Sequence, residues 1–305
     1  MTALLEQTKD ARRRTRRSRI SAFDSAMGWQ SGWSWSNVIR TILIVIAIAI
    51  FAVPFIGVFV GAFDASPTSL QFSIIPKQFS FEPWKAAIDR GVLRFFLNSL
   101  VIVGGGLVLQ IATSIAAAYA IARYRFRGAG IALGLFLLTM MLPEDVIAVP
   151  LSQVLGSIPL LGLNLRGTVF AVILPVAAWG FSTLVMAEFM RDIPKEIEEV
   201  ARLDGVGEFR MLVSIVLPMS IPALGVATVF GFIMIWDQYL LPLIAANGPE
   251  DYTLTVALRG FRQDYDTGSG VLMVGSLLAL LPSLIVYLLL QRSLVRGIVS
   301  GATKG

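Results

Sequence analysis

The chain has 305 residues, of which 56% are hydrophobic and only 15% charged, so it is too apolar to be a soluble protein with one buried core. It has neither cysteine nor histidine, which excludes disulfides, thiol nucleophiles, imidazole bases and metal sites built from those ligands. The net charge of +5 does not indicate nucleic acid, because the cations cluster beside apolar segments, most densely in residues 12–19, where anionic lipid is the expected partner.

Six apolar segments are long enough to cross a bilayer as helices, since about 20 residues span its ~30 Å hydrocarbon core. They are residues 38–61, 96–122, 130–149, 167–188, 219–243 and 271–291. The first of them is too long for the apolar part of a secretory signal, and we expect it to remain as the first span. The sequence therefore predicts an all-α membrane protein with six transmembrane helices behind a basic tail, residues 1–36.

The distribution of cations predicts the orientation of these spans. If the N-terminus is placed in the cytoplasm, 18 of the 25 lysines and arginines fall on the inner side. Both termini and the loop between the fourth and fifth spans are then cytoplasmic. The outer loops are residues 62–95, 150–166 and 244–270.

The cytoplasmic loop after the fourth span predicts two short helices joined at a glycine. Asp192 can cap the first helix and Pro194 suits its first turn. Gly205 is placed to end that helix in a left-handed turn, and residues 206–217 can lead back to the membrane as a second helix. A period of 3.6 residues predicts one apolar face on the first helix, formed by Ile197, Val200 and Ala201. The alternative for such a loop is an amphipathic helix lying on the inner leaflet.

The same loop contains a characteristic spacing, in which EVARLDG at 199–205 is followed by nine residues and then Ile215-x-Leu217-Pro218. This pattern resembles the cytoplasmic coupling loop of bacterial ABC importer permeases, on which the ATPase subunit docks. Val200 stands where that family has a second alanine. The resemblance implies the following ATPase-coupling residues: Glu196, Glu199, Ala201, Leu203, Asp204, Gly205, Phe209, Ile215, Leu217 and Pro218.

The coupling residues have different expected roles. The small Ala201 and Gly205 would permit close approach of an ATPase, and Glu199 could pair with its basic groups. Leu203 and Phe209 are either apolar anchors for that partner or side chains that pack within the loop.

The resemblance covers nearly all of residues 40–305 and is strongest to sugar-importer permeases of the maltose-permease type. It includes Asn98-Ser99, AYAIARYRFRG at 118–128, MLP at 141–143 and the C-terminal residues 291–305. It implies a type I importer fold with a first helix and outer loop at 37–93, a permease core at 94–291 and a cytoplasmic tail at 292–305. Four tail residues are expected near the ATPase, unless the tail is a disordered basic end: Gly297, Gly301, Lys304 and Gly305.

One acid, Asp237, lies well inside an apolar segment, in IMIWDQYLLP at 233–242. A carboxylate at that depth is costly and normally faces protein or a water-filled cavity. Because the family has tryptophan followed by a polar residue here, Trp236, Asp237 and Gln238 are candidates for the translocation path, together with Asn98. The alternative for Asp237 is a hydrogen bond between subunits that fixes helix packing.

The resemblance implies a non-enzymatic subunit, without catalytic residues, of an ATP-driven importer in the bacterial cytoplasmic membrane. Its expected partners are a second permease in a heterodimer, an ATPase dimer and an extracytoplasmic solute-binding protein that contacts the outer loops. No lysine follows a glycine in the sequence, so the chain has no phosphate-binding GxxxxGK[ST] loop. We expect it to bind no cofactor, with ATP and Mg²⁺ on the partner ATPase.

An ion-coupled secondary transporter is the main alternative. Such carriers need ion-coordinating or titratable groups at the membrane midplane, often on broken helices in paired repeats. Asp237 stands nearly alone, and the sequence shows no repeated halves. An intramembrane enzyme fits less well, because the chain has no Ser-His pair, no HExxH site and no second buried acid.

Overall fold

The computed structural model describes residues 35–64, 78–124, 126–159, 162–263 and 268–302, with side chains described as far as Gln291. These residues are helical apart from their connections and an isolated bridge between Asp64 and Phe79. The helices are α1 (Trp35–Gly61), α2 (Glu82–Asp89), α3 (Val92–Arg123), α4 (Ala129–Met141), α5 (Glu144–Gly156), α6 (Phe170–Val176), α7 (Gly180–Arg191), α8 (Lys195–Leu203), α9 (Glu208–Met211), α10 (Leu217–Met219), α11 (Ile221–Trp236), α12 (Leu240–Ala245), α13 (Leu254–Gln263) and α14 (Ser269–Ala302).

The described helices supply up to six spans by length and composition. Three of them, α1, α3 and α14 up to Gln291, are long and apolar enough to cross a membrane alone. Three further candidate spans are bent pairs: α4 with α5 at 105°, α6 with α7 at 40°, and the segment Glu208–Met219 with α11 at 81°. In the last pair α11 is the uncharged part, and Glu208–Met219 belongs to the loop between α7 and α11. The predicted all-helical fold with six spans is confirmed, but half of the spans are broken helices.

Two of the predicted spans have different limits in the structure. The segment predicted at 130–149 stops being helical at Met141, because Pro143 disfavours helical geometry at Leu142, whose ψ is 124°. The segment predicted at 219–243 ends its helix at Trp236. Hydropathy predicts that Asp237 lies well inside a span. In the structure it is instead the C-terminal cap residue of α11.

The chain divides into two units, residues 1–57 and 58–305. The first is described from Trp35 onwards, where α1 is apolar throughout its membrane-length part. In the second, α3 packs against α6, α7, α11 and α13, and contributes to three apolar clusters. One cluster lies around Met186 and Met211, one around Val172 and Phe232, and one around Leu254 and Val274.

Candidate coupling site

The loop between α7 and α11 forms the two short helices that the sequence predicts. Helix α8 ends in a left-handed turn at Gly205, where φ is +78°. The amide of Val206 donates to the carbonyl of Ala201, and the amide of Gly205 donates to that of Arg202, both at 3.0 Å. These paired bonds satisfy carbonyls that the last helical turn leaves free, and they fix the corner of the loop.

The start of α8 differs from the prediction. Asp192 does not cap this helix but is the C-terminal cap residue of α7, and Pro194 occupies the N-cap position of α8. Proline is suited to the start of a helix because its φ is already near the helical value. The first turn then carries Glu196 and Glu198, whose negative charge complements the positive end of the helix.

The second half of the loop is helical but irregular. After α9, residues 212–216 form a wider turn in which the amide of Leu217 donates to the carbonyl of Leu212. Pro218 follows directly and has no amide hydrogen to continue the regular ladder. The chain then turns sharply at Ser220 into α11.

The face on which α8 packs is not the apolar face predicted from its sequence. Ala201 is buried, but its buried companion is Glu198 rather than Ile197 or Val200. Val200 is 60% exposed. The reason is a cation on α3, which draws Glu198 inward and turns the aliphatic side chains outward.

This cation is Arg123, the last residue of α3. Its Nε lies 2.5 Å from Oε1 of Glu198, and the two side chains are only 3% and 4% exposed. Its Nη2 also donates to the carbonyl of Ile193 at 3.3 Å. A buried carboxylate is stable only when paired, so this ion pair attaches the start of α8 to the end of α3.

A second polar contact attaches the other half of the loop. Glu208 accepts hydrogen bonds from the hydroxyls of Tyr119 at 2.8 Å and Tyr124 at 2.9 Å, and from Nη2 of Arg202 at 3.0 Å. The hydrogen bonds from Tyr119 and Tyr124, with the charge of Arg202, lower the pKa of Glu208 below its ordinary value. The carboxylate therefore stays ionised and links both loop helices to α3.

The opposite side of the loop presents unpaired apolar side chains. Leu203 is 88% exposed and Phe209 is 80% exposed, on either side of the Gly205 turn. The predicted coupling residues Glu196, Glu199, Asp204 and Pro218 are exposed as well. In contrast, Ala201, Ile215 and Leu217 lie on the side of the loop that faces the other helices, where they pack in the cluster around Met186 and Met211.

The candidates for the translocation path are not brought together in one site. Trp236 is buried, with its ring stacked on Phe232 and edge-on to Phe96. Asp237 is exposed at the end of α11, and Nε2 of Gln238 donates to Oε1 of Glu144 at 3.0 Å.

Asn98 has a separate position at the other end of α3 from the coupling loop. Its Nδ2 donates to the carbonyls of Glu250 at 2.9 Å and Tyr252 at 3.1 Å. It also borders a cavity of about 100 Å³ between α3, α12 and the turn before α13. The amide of Asn98 therefore holds the turn before α13 in place.

The four predicted tail contacts lie at or beyond the C-terminal limit of the described residues. Gly297 and Gly301 lie in the helical backbone of α14, while Lys304 and Gly305 lie outside the described residues. Residues 1–34 of the basic tail also lie outside them.

The residues that hold the loop were missed by sequence reasoning. Tyr119, Arg123 and Tyr124 lie in the segment 118–128, which was noted only for its resemblance to a family pattern. A usable signal was present, because Arg123 ends an apolar span on the same side as the acidic segment 196–199. Spacing alone does not show which of those acids faces it.

Comparisons with known proteins now identify the family. Residues 110–300 match the family described as binding-protein-dependent transport system inner membrane component. The chain belongs to this family. It is 32% identical to the probable ABC transporter permease YurM of Bacillus subtilis, over 83% of this chain and 84% of that protein. It is 31% identical to the sn-glycerol-3-phosphate transport system permease UgpE of Brucella melitensis, over 87% and 96%.

Solved structures agree on the fold of this permease. It superimposes with a TM-score of 0.71 on a chain of a bacterial ABC transporter involved in import of the acidic polysaccharide alginate, at 21% identity over 86% of this chain and 99% of that one. The MetNI methionine ABC transporter gives a TM-score of 0.52 at 16% identity, over 71% and 98%. The likeness shows the type I importer fold.

Family membership confirms the general expectations. The permease is a multi-pass membrane protein and a non-catalytic subunit of an ABC transporter complex, in which a separate ATPase hydrolyses ATP. The ion-coupled alternative finds no support among these relatives.

Proposed function

We propose that the permease imports a carbohydrate or carbohydrate derivative and receives its driving force through the loop at 190–218. Relatives with named substrates support the substrate class. They include the arabinooligosaccharides permease AraQ of Bacillus subtilis and the diacetylchitobiose permease DasC of Streptomyces coelicolor, at 30% and 29% identity. Because these solutes are built from different sugar units, the relatives support the class and not one sugar.

The observation that carries the coupling role is the two-sided character of the loop. The side of the loop that faces α3 is attached to the end of that helix by a buried ion pair and by two hydrogen bonds, from Tyr119 and Tyr124 to Glu208. The side that faces away from α3 exposes Leu203 and Phe209, which no described residue covers. Large exposed apolar side chains on a rigid element are typical of a protein interface. A rigid mount behind such a surface would transmit a push from the ATPase to the membrane helices.

The proposed setting is the bacterial cytoplasmic membrane with both termini inside. The distribution of cations, 18 of 25 on one side, supports this orientation, in which the coupling loop is cytoplasmic. The ATPase dimer, which would carry ATP and Mg²⁺, then docks there and extends to the tail residues Gly297, Gly301, Lys304 and Gly305. A solute-binding protein would contact the outer loops, and a second permease would complete the path as a heterodimer.

Among the path candidates, Asp237 is the one favoured by its exposure. Trp236 is buried by aromatic neighbours, and the side chains of Gln238 and Asn98 are engaged in hydrogen bonds within the chain. We assign Asp237 to the wall of the translocation path, at the point where α11 ends.

The docking proposal is tested by replacing the exposed apolar side chains with acids. Leu203→Asp and Phe209→Asp should each abolish co-purification of the co-expressed ATPase while the permease remains in the membrane. Leu163→Asp is the matched control, because Leu163 is an exposed leucine in an outer loop. If both loop variants retained the ATPase as well as the control does, another surface would be the docking site.

The substrate class is tested by uptake. Cells with and without the chain would be given a panel of labelled monosaccharides, oligosaccharides, sugar alcohols, glycerol phosphate and amino acids. Loss of carbohydrate uptake in the deletion, restored by the gene, is the expected result. Selective loss of amino-acid uptake would contradict the proposal.

A further inference from the structure

The fourth span is interrupted between α6 and α7, and the interruption leaves backbone carbonyls that the helices do not use. Helix α6 contains Pro175 and ends at Val176, and α7 begins only at Gly180. In hydrocarbon there is no water to satisfy a carbonyl, so each free group needs a partner from the protein. The carbonyls at issue are those of Val176 and Ala177.

Two side chains of α3 supply the missing donors. Nε2 of Gln110 donates to the carbonyl of Val176 at 3.0 Å. The hydroxyl of Thr113 donates to the carbonyl of Ala177, and the carbonyl of Gln110 in its own helix is a second acceptor at 3.0 Å. Gln110 is fully buried. Because the two residues are three positions apart, they lie on one face of α3 and meet consecutive carbonyls of the break.

The surroundings of the break leave these groups little freedom. A methyl group at Gly231 of α11 would lie 2.2 Å from Oε1 of Gln110, so the amide is wedged between α11 and the break. A methyl group at Gly180 would lie 2.1 Å from the carbonyl oxygen of Phe136 in α4. The start of α7 thus rests directly on the α4 backbone, while Gln110 holds the end of α6.

The position of the break relates it to the coupling loop. Only residues 192–194 separate α7 from α8, so a displacement of the loop enters the membrane through α7. The first point at which that span is no longer a continuous helix is the break itself. A hinge is expected where a few residues outside regular structure can absorb a change in direction.

We propose that Gln110 and Thr113 are positioning residues for transport, which pin the end of α6 while α7 moves with the coupling loop about the break at residues 177–179. The inference rests on the proposed coupling function of that loop. It assigns to α3 a second role, distinct from its attachment to the loop: it holds the fixed side of the hinge.

The variant for the test is Thr113→Val, which keeps the shape of the side chain and removes the donor. Thr228→Val is the matched control, because among the described residues the Thr228 hydroxyl bonds the carbonyl of Leu224, in its own helix, at 2.7 Å and no other helix. Thr113→Ser restores the hydroxyl and should behave as the wild type. An interhelical hydrogen bond in a membrane protein contributes enough to change an opening equilibrium about threefold.

The first measurement is amide hydrogen exchange of the purified permease in lipid nanodiscs. Exchange in the peptide covering residues 174–182 should rise about threefold in Thr113→Val and stay at the wild-type level in Thr228→Val and Thr113→Ser. Equal exchange in Thr113→Val and the control would contradict the proposal that Thr113 holds the end of α6.

The second measurement separates a moving hinge from an ordinary structural bond. The chain has no cysteine, so Phe170→Cys with Glu188→Cys gives two exposed sites for spin labels, one on α6 and one on α7. A straight helix would put them about 27 Å apart, within reach of electron spin distance measurements. The labelled permease, assembled with its ATPase and partner permease, is compared without nucleotide and with a non-hydrolysable ATP analogue.

The distance is expected to change when the ATP analogue binds, and this change should broaden or disappear in Thr113→Val but not in Thr228→Val. If the wild-type distance is the same in both states while the ATPase is bound, the hinge is wrong. If the ATPase does not bind to the wild type at all, the proposed coupling function fails. The exchange measurement then still tests whether Thr113 holds the end of α6.

Discussion

Glu198→Gln removes the charge that neutralises Arg123 inside the protein and leaves the guanidinium unpaired. The two side chains are 3% and 4% exposed, so water cannot replace the lost carboxylate without opening the loop. Breaking a buried ion pair by removing one partner costs about 3–5 kcal/mol. The equilibrium between attached and detached α8 should therefore shift toward the detached form by a factor of about 100 or more.

Glu188→Gln is the matched control for this change. Glu188 also pairs with an arginine, Arg191, but the two side chains are 56% and 40% exposed. Exposed pairs contribute about 0–1 kcal/mol because solvent screens them and both side chains lose freedom. The same chemical substitution ten residues earlier should therefore leave the loop attached.

The attachment is measured by hydrogen exchange of peptides from residues 195–211 and by tryptic cleavage after Arg202, with the permease in nanodiscs. Glu198→Gln should accelerate both strongly, and Glu188→Gln should not. Arg123→Met combined with Glu198→Met should recover most of the protection, because an apolar pair leaves no buried charge. The reasoning would be refuted if the double variant were as labile as Glu198→Gln, or if the two single variants behaved alike.

Three further outcomes are expected. Amide hydrogen exchange of the coupling loop, corrected for the intrinsic rate, should be constant from pH 8 down to 4.5, the ordinary pKa of glutamate, and should rise below it. Because the pKa of Glu208 is lowered in the folded loop, its contribution to the stability of the loop is complete above pH 4.5 and is lost as the pH falls further. Gly231→Val should clash with Gln110 and reduce the amount of permease in isolated membranes, whereas Gly104→Val, at a site where an added methyl group would meet no described atom within 4 Å, should accumulate normally. Asp237→Leu should impair uptake of the solute found in the panel while the ATPase still co-purifies, and unchanged uptake would move Asp237 to a packing role.

The features that the sequence predicts well depend on local chemistry or on length. Six apolar segments of membrane length identify the spans, because hydrocarbon requires about 20 apolar residues per crossing. Gly205 predicts the left-handed corner of the loop, because glycine adopts a positive φ without strain. Neither prediction needs information about distant parts of the chain.

The orientation of α8 could not be predicted in the same way. Hydrophobic periodicity assumes that the apolar face of a helix packs against its own chain, but here Val200 is exposed and Glu198 is buried. Glu198 is buried because of Arg123, which lies 75 positions earlier in the sequence and at the end of another helix. An apolar face that stays exposed is indistinguishable in sequence from a face that packs internally.

The broken spans are a second case that hydropathy does not detect, since it measures composition and not direction. Residues 130–149 are apolar enough on average for one span, even with Glu144 and Asp145 among them, yet the helix direction changes by 105° at Leu142 and Pro143. The break at Trp179 depends in turn on donors from α3, which make the free carbonyls of Val176 and Ala177 tolerable.

Polar contacts at three levels of α3 restrict how this helix can move. Near its start, the hydroxyl of Ser99 accepts from the amide of Leu254 at 2.8 Å; at its middle, Gln110 holds the break; at its end, Arg123 holds the loop. A slide of one turn along its axis would separate all three sets at once and leave buried polar groups unpaired, which is expensive in an apolar environment. Helix α3 therefore does not slide along its axis. A rigid-body tilt or rotation about the level of Gln110 carries its loop end with the coupling loop and keeps its middle attached to the break. The bend between α6 and α7 is then the place where the fourth span can follow the loop at one end while its other end stays attached to α3.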